Sequence, residues 1–117
     1  MKFEVTQELK DYIDLIDEKY QEAKQQKLSR LSVEWGTWSR EMNLKTKNYK
    51  NLGFKYLFIY WVMKSQLLEL HFKTRFKQSK KKQLAREAKN YRKIILSGNA
   101  DVIDDDFLKR KLLKGIK

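Results

Sequence analysis

The chain contains no proline and only four glycines among its 117 residues. Strands joined by tight turns need such residues repeatedly, whereas long helices do not. Hydrophobic residues, at 41%, and aromatic residues, at 13%, argue against disorder and supply material for one core. We therefore expect an all-α single domain over residues 1–117. It would have five or six helices, with a short N-terminal strand at residues 2–5 as an additional option.

The spacing of apolar residues predicts the first two helices. The first begins at Thr6, a suitable N-cap, and ends near Gln26. A second helix follows out of register with the first and is capped by Ser29 or Ser32, although a strand at residues 31–35 is the competing interpretation. In both helices apolar residues recur at steps of three and four, which is one helix face. These residues are Leu9, Ile13, Ile16, Tyr20 and Ala23, then Leu28, Leu31, Trp35, Trp38 and Met42.

The second half of the chain is expected to hold three further helices. A long one covers residues 54–76, although its aromatic and β-branched residues leave a buried strand at residues 56–62 as an alternative. Its most apolar ten residues are too few to cross a membrane, which takes about 20. A basic helix is assigned to residues 73–96 and stops at Ser97-Gly98-Asn99, where glycine suits a left-handed end. A short C-terminal helix is predicted over residues 101–115.

Positive charge is concentrated in the middle of the chain. Residues 45–98 carry 15 basic and 2 acidic side chains, a net charge of +13, whereas residues 1–44 carry 7 and 9, a net charge of −2. The whole chain has a net charge of +12. Such a concentrated block predicts a polyanionic partner, with nucleic acid first, followed by an anionic membrane or an acidic protein.

Residues 38–52 contain a pattern of small, apolar and turn-forming residues. Ser39 is small, Met42 follows three positions later, and Asn43 tolerates a positive φ angle. Three apolar positions complete the pattern, and they are Leu44, Tyr49 and Leu52. The six positions resemble a helix-turn-helix DNA-binding motif in type and order, and with its flanks the candidate covers residues 33–53.

That resemblance implies that the helix after the turn enters the major groove of DNA. Its lysines would contact phosphates, while asparagine and threonine would contact base edges. The candidate DNA-binding residues of this segment are Lys45, Thr46, Lys47, Asn48, Lys50 and Asn51.

A second candidate surface is a row of cations in the basic helix. Its members are spaced 7, 4, 3 and 4 residues apart, so one helix would place them all on one side, over about 27 Å. The stretch from Lys73 to Lys93 contains ten basic residues and one acidic residue, Glu87. We predict that this row follows a phosphate backbone, and it comprises Arg75, Lys82, Arg86, Lys89 and Lys93.

Nothing in the sequence favours an enzyme or a cofactor. Cysteine is absent, and His71 is the single histidine. The aspartates at 101, 104, 105 and 106 lack the order of a calcium loop and are better explained as helix capping. We therefore expect no metal, no cofactor and no catalytic residue.

Taken together, these features predict a non-enzymatic, cytoplasmic protein that binds double-stranded DNA, without a membrane partner and with homodimer formation left open. A transcriptional regulator or accessory factor of a phage, plasmid or chromosome fits its size. The first alternative is a protein-interaction module, an inhibitor or assembly factor that binds an acidic partner. The second is an RNA-binding protein. The alternation at residues 2–6 leaves a ribbon-helix-helix fold as a minor DNA-binding alternative.

Overall fold

The computed structural model describes residues 2–28, 32–49, 51–72 and 78–99, without the side chains of residues 78 and 79. Four α-helices occupy these ranges: α1 (Gln7–Gln25), α2 (Val33–Lys47), α3 (Leu52–Phe72) and α4 (Gln78–Ser97). The all-α prediction is confirmed. Neither five or six helices nor an N-terminal strand is found in the described ranges, where a single antiparallel bridge joins Lys2 to Asn99. The predicted helix at 101–115 lies outside them.

Helix α3 is the centre of the fold and packs against α1, α2 and α4. Its buried residues cover most of its circumference and leave only the side of Lys55, Val62 and Glu69 less buried, as expected of a helix with neighbours on several sides. The alternative of a strand at residues 56–62 is therefore wrong. Aromatic and β-branched residues favour strands in part because strands bury them well, and a surrounded helix buries them equally well. The predicted helix at 54–76 is observed at Leu52–Phe72, with residues 73–77 outside the described part of the chain.

Helices α1 and α2 begin where a hydroxyl side chain caps them. Thr6 Oγ1 accepts a hydrogen bond from Leu9 N at 3.2 Å, and Ser32 Oγ accepts one from Trp35 N at 3.2 Å. The apolar face predicted for α1 is buried at all five positions. Because residues 33–35 are helical, the alternative of a strand at 31–35 is wrong over that part.

The interface between α2 and α3 is built from indole rings. Trp35 and Trp61 stack with ring centroids 4.5 Å apart and an interplanar angle of 8°. Each indole N–H is satisfied, because Trp35 donates to Ser65 Oγ at 3.0 Å and Trp61 donates to Ser39 Oγ at 3.1 Å. Buried indoles need such partners, so two serines fix where α2 lies on α3.

Helix α4 ends at the glycine predicted to stop it. Gly98 has a φ angle of 70°, and its carbonyl oxygen accepts a hydrogen bond from Phe3 N at 3.0 Å. The N-terminal segment therefore runs along the end of α4. The basic helix predicted at residues 73–96 is observed as Gln78–Ser97, with Ala88, Tyr91 and Ile95 buried.

Candidate nucleic-acid interface

The predicted row of cations lies on the exposed side of α4. Lys82, Arg86, Lys89 and Lys93 are all exposed, and we call these four residues the α4 stripe. Steps of four, three and four residues return to nearly the same side of a helix, so the stripe occupies one face. The opposite face carries the buried residues of α4. Arg75, the fifth predicted member, lies outside the described residues.

The α4 stripe is poorly compensated by negative charge. It extends over about 17 Å, at 1.5 Å per residue. Within the described ranges, no ion pair joins any of its four members to a carboxylate. Lys80, which is exposed, and Lys81, which is half-buried, directly precede Lys82 and add to the positive field. Like charges at i, i+4 weaken a helix slightly, so the stripe is a cost to folding in the absence of an anion.

The turn predicted at Asn43 is wrong. Helix α2 continues through Asn43 to Lys47, and the side chain of Leu44 is 64% exposed rather than buried. Asparagine tolerates a positive φ angle but does not impose it. No glycine or proline lies between Thr37 and Lys47, and burial of Trp35 and Met42 on one face supports a continuous helix.

The five predicted groove-binding residues that the structure describes therefore do not form a second helix. Lys45, Thr46 and Lys47 occupy the last turn of α2, and Asn48 is its C-cap. Thr46 Oγ1 donates to Met42 O at 2.8 Å. That bond to its own helix is the usual one for a threonine inside a helix and leaves the hydroxyl engaged.

The remaining residues of this segment connect α2 to α3. Asn51 Oδ1 accepts a hydrogen bond from Gly53 N at 3.0 Å, as a helix-capping side chain does. Lys50 lies outside the described residues. The helix that follows is α3, most of whose circumference is buried in the fold. The structure thus assembles the α4 stripe but not the recognition helix that the resemblance implied.

Aromatic contacts tie the same connection to α1. The ring of Tyr49 stacks on Phe54 at a centroid distance of 4.1 Å, and its hydroxyl donates a hydrogen bond to Glu8. This hydrogen bond, followed by desolvation, raises the pKa of Tyr49 to about 12. Lys45 Nζ lies 5.7 Å from the ring centroid of Tyr12. The end of α2 therefore packs beside the N-terminal half of α1, whereas the α4 stripe lies along another element.

Sequence reasoning missed one carboxylate that joins three helices. Asp17 of α1 accepts a hydrogen bond from Tyr60 of α3 at 2.5 Å and forms an ion pair with Arg92 of α4 at 3.4 Å. Lys64 Nζ of α3 lies 3.7 Å from Asp17 Oδ1. The available signal was position alone, because Asp17 follows the buried Ile16 at the edge of the apolar face of α1.

Burial dominates the electrostatics of this cluster. It raises the pKa of Tyr60, and the hydrogen bond to Asp17 raises it further. Burial also lowers the pKa of Lys64, against the opposing effect of Asp17. A carboxylate shared by several donors at a helix junction normally serves to fix the helices relative to one another.

The described ranges contain neither a candidate membrane-spanning helix nor a candidate metal site. No helix within the described ranges is long and apolar enough to cross a membrane. In the same ranges, histidine, aspartate and glutamate side chains form no group of three that could hold a metal ion. The four aspartates at 101–106 lie outside those ranges.

Comparison with known proteins gives no family assignment. No protein-family model matches this chain, and no curated protein or solved structure does either. A relationship to helix-turn-helix proteins therefore stays a prediction. The turn that this resemblance placed at Asn43 is not found there, because α2 continues through this residue.

Proposed function

We propose that the protein binds double-stranded DNA without catalysis, through the α4 stripe. The observation that carries the proposal is the exposure of Lys82, Arg86, Lys89 and Lys93 on one helix face. Within the described ranges no carboxylate pairs with them. A helix that only needed to be soluble would mix charges of both signs on its outer face.

Phosphate binding explains why such a face is useful. Successive members of the stripe are separated by three or four residues, which is about 4.5–6 Å along the helix. Each cation that neutralises a phosphate releases condensed counterions from the DNA, and this release drives binding at low salt. Contacts of this kind position a protein on DNA and carry little sequence information.

The aromatic residues favour a duplex over a single strand. Proteins that bind single strands usually stack bases on exposed aromatic rings. Among the described residues, the large hydrophobic side chains that are exposed are Val33, Leu44 and Leu96, and none of these is aromatic. Trp35 and Trp61 are buried against each other. Exposed cations without an exposed aromatic ring, as found in the described part of the chain, are suited to the outside of a double helix.

The proposed binding also suggests a biological setting. The size and charge of the chain are suited to a cytoplasmic regulator or accessory factor of a phage, plasmid or chromosome. Base reading by residues 45–51 is not part of the proposal, because these residues span a helix end and a connection. Lys45 and Lys47 are exposed and are available for additional phosphate contacts.

Charge reversal on α4 tests the proposal. The double variant Arg86→Glu and Lys89→Glu places two carboxylates in the middle of the stripe. We expect affinity for a random duplex, measured by fluorescence anisotropy at one low salt concentration, to fall at least about tenfold, since two phosphate contacts are lost and two repulsions gained.

The matched control makes the same change of net charge elsewhere. Lys10 and Lys27 are exposed and lie outside α4, so Lys10→Glu with Lys27→Glu should reduce affinity much less. An equal loss in both double variants would mean that only net charge matters and would remove α4 as the binding face. Stronger binding to structured RNA than to duplex DNA would favour the RNA alternative, and no binding to either would favour an acidic protein partner.

A further inference from the structure

A second group of cations lies outside the α4 stripe, where α1, α3 and α4 meet. It consists of Lys24 of α1, Lys64 of α3 and Arg92 of α4, and we call these three residues the junction cations. Arg92 directly precedes Lys93 of the stripe, so the group lies at the edge of the proposed DNA-binding face.

The junction cations surround one carboxylate and one aromatic ring. Lys64 Nζ is 3.7 Å from Asp17 Oδ1, and Arg92 Nε is 3.4 Å from Asp17 Oδ2. The ammonium groups of Lys64 and Lys24 lie 4.5 Å and 5.3 Å from the ring centroid of Tyr20. Three helices thus bring three positive groups to one place.

The charge of this cluster is not balanced among the residues that form it. Lys64 and Arg92 both pair with Asp17, and Lys24 lies beside Lys64 over the ring of Tyr20, so the three cations and one carboxylate have a net charge of +2. Burial lowers the pKa of Lys64, and the neighbouring Lys24 and Arg92 lower it further, whereas Asp17 opposes the change. The positive field extends to the end of α3, where burial and then Lys24 and Lys81 lower the pKa of His71.

The cluster remains open to a ligand. The side chains of Lys64, Asp17 and Arg92 are 18%, 33% and 43% exposed. A helix junction held by an ion pair needs one cation for one carboxylate. The ring of Tyr20 stabilises Lys24 and Lys64 in part, and an anion would offset the remaining repulsion, because like charges at close range repel and partly buried ones are weakly screened.

We propose that the junction cations form a binding site for a phosphate group, in which the phosphate supplies the negative charge that Asp17 alone does not. This inference rests on the proposed function, because the phosphate would be one of the DNA backbone next to the α4 stripe. A phosphate has the charge and the several acceptor oxygens that a guanidinium and two ammonium groups require. The site would hold one phosphate more deeply than the exposed stripe does.

Two variants with matched charge test the site. Lys64→Met removes the charge and keeps the apolar stem, whereas Lys10→Met removes an exposed lysine of α1 away from the junction. The first probe is inorganic phosphate, compared with chloride at equal ionic strength in thermal unfolding. We expect phosphate to raise the Tm of the wild type and of Lys10→Met, and to raise that of Lys64→Met clearly less. If Lys64→Met does not fold, the more exposed Arg92→Gln replaces it.

The second probe is duplex DNA at several salt concentrations. The slope of log affinity against log salt is negative, and loss of one phosphate contact should reduce its magnitude by about 1 in Lys64→Met. In Lys10→Met the slope should be unchanged. If the two variants behave alike with both probes, the site is overturned, and charge reversal on α4 still decides the proposed function. If phosphate acts on the wild type through Lys64 but duplex DNA does not bind, the site stands and the proposed function fails.

Discussion

An added methyl group has opposite consequences at two glycines of this chain. At Gly98 the φ angle is 70° and a Cβ atom would lie 2.6 Å from Phe3 O, whereas at Gly36, inside α2, it would meet nothing within 4 Å. We expect Gly98→Ala to lower the free energy of unfolding by more than about 1 kcal/mol. Gly36→Ala should raise it by about 0.5–1 kcal/mol. Chemical denaturation of both variants measures the difference, and an equal effect of both would contradict these two backbone environments.

The tyrosines make stability depend on alkaline pH. Burial raises the pKa of Tyr20, Tyr60 and Tyr91, and the hydrogen bond to Glu8 raises that of Tyr49 from 10.0 to about 12. A raised folded-state pKa means that the folded protein keeps a proton that the unfolded chain releases. This contribution is complete below the unfolded pKa of about 10 and is lost as pH rises through the folded pKa.

We therefore expect the free energy of unfolding to fall between about pH 10 and pH 12. Lys64 has the opposite effect. Because its pKa is lowered in the folded protein, its contribution to the free energy of unfolding increases as pH rises toward 10.5. It is a single group, whereas four tyrosines act in the other direction. Titration of tyrosinate absorbance in the native and the denatured protein measures the shift directly. Coincident titration curves for the two states would contradict it.

At the scale of the elements, periodicity predicted which face of a helix is buried. It predicted the five buried positions of α1, because one-sided burial leaves a repeat of three and four in the sequence. It did not predict where α2 ends. The residues after Met42 are exposed, so no apolar repeat distinguishes a helix that continues from one that turns.

The candidate site could likewise be predicted only in part from the sequence. The α4 stripe was predictable because helical spacing alone places its members on one side. The cluster around Asp17 was not, since its partners Lys64 and Arg92 are distant in sequence and meet only through the packing of α1, α3 and α4. The choice between helix and strand at residues 56–62 likewise depended on what surrounds α3.

Asn43 offers a direct test of the continuous α2. It is exposed inside the helix, where asparagine is less favourable than alanine. We expect Asn43→Ala to raise the free energy of unfolding by about 0.5 kcal/mol. In a helix-turn-helix, a positive φ angle at this position would make the same change destabilising by about 1 kcal/mol or more. A loss of stability on denaturation would therefore restore the turn and contradict the continuous helix.

At the scale of the whole molecule, α1 and α4 have exposed faces of opposite charge. The exposed side of α1 carries Asp11, Asp14 and Glu18, whereas that of α4 carries the stripe. A polyanion is attracted to one helix and repelled by the other, so the protein would approach DNA in a preferred orientation. Arg92, one of the junction cations, links α4 to α1 through its ion pair with Asp17.

The dependence of duplex DNA affinity on salt is the most direct measurement of the central claim, which is that the cations of α4 bind phosphates. Four phosphate contacts predict a slope of log affinity against log salt of roughly −3 to −4, and contacts at the junction would make it steeper. The magnitude of this slope should decrease by about 2 when Arg86 and Lys89 are both neutralised. A slope near zero, or a steep slope that the double substitution leaves unchanged, would contradict the claim.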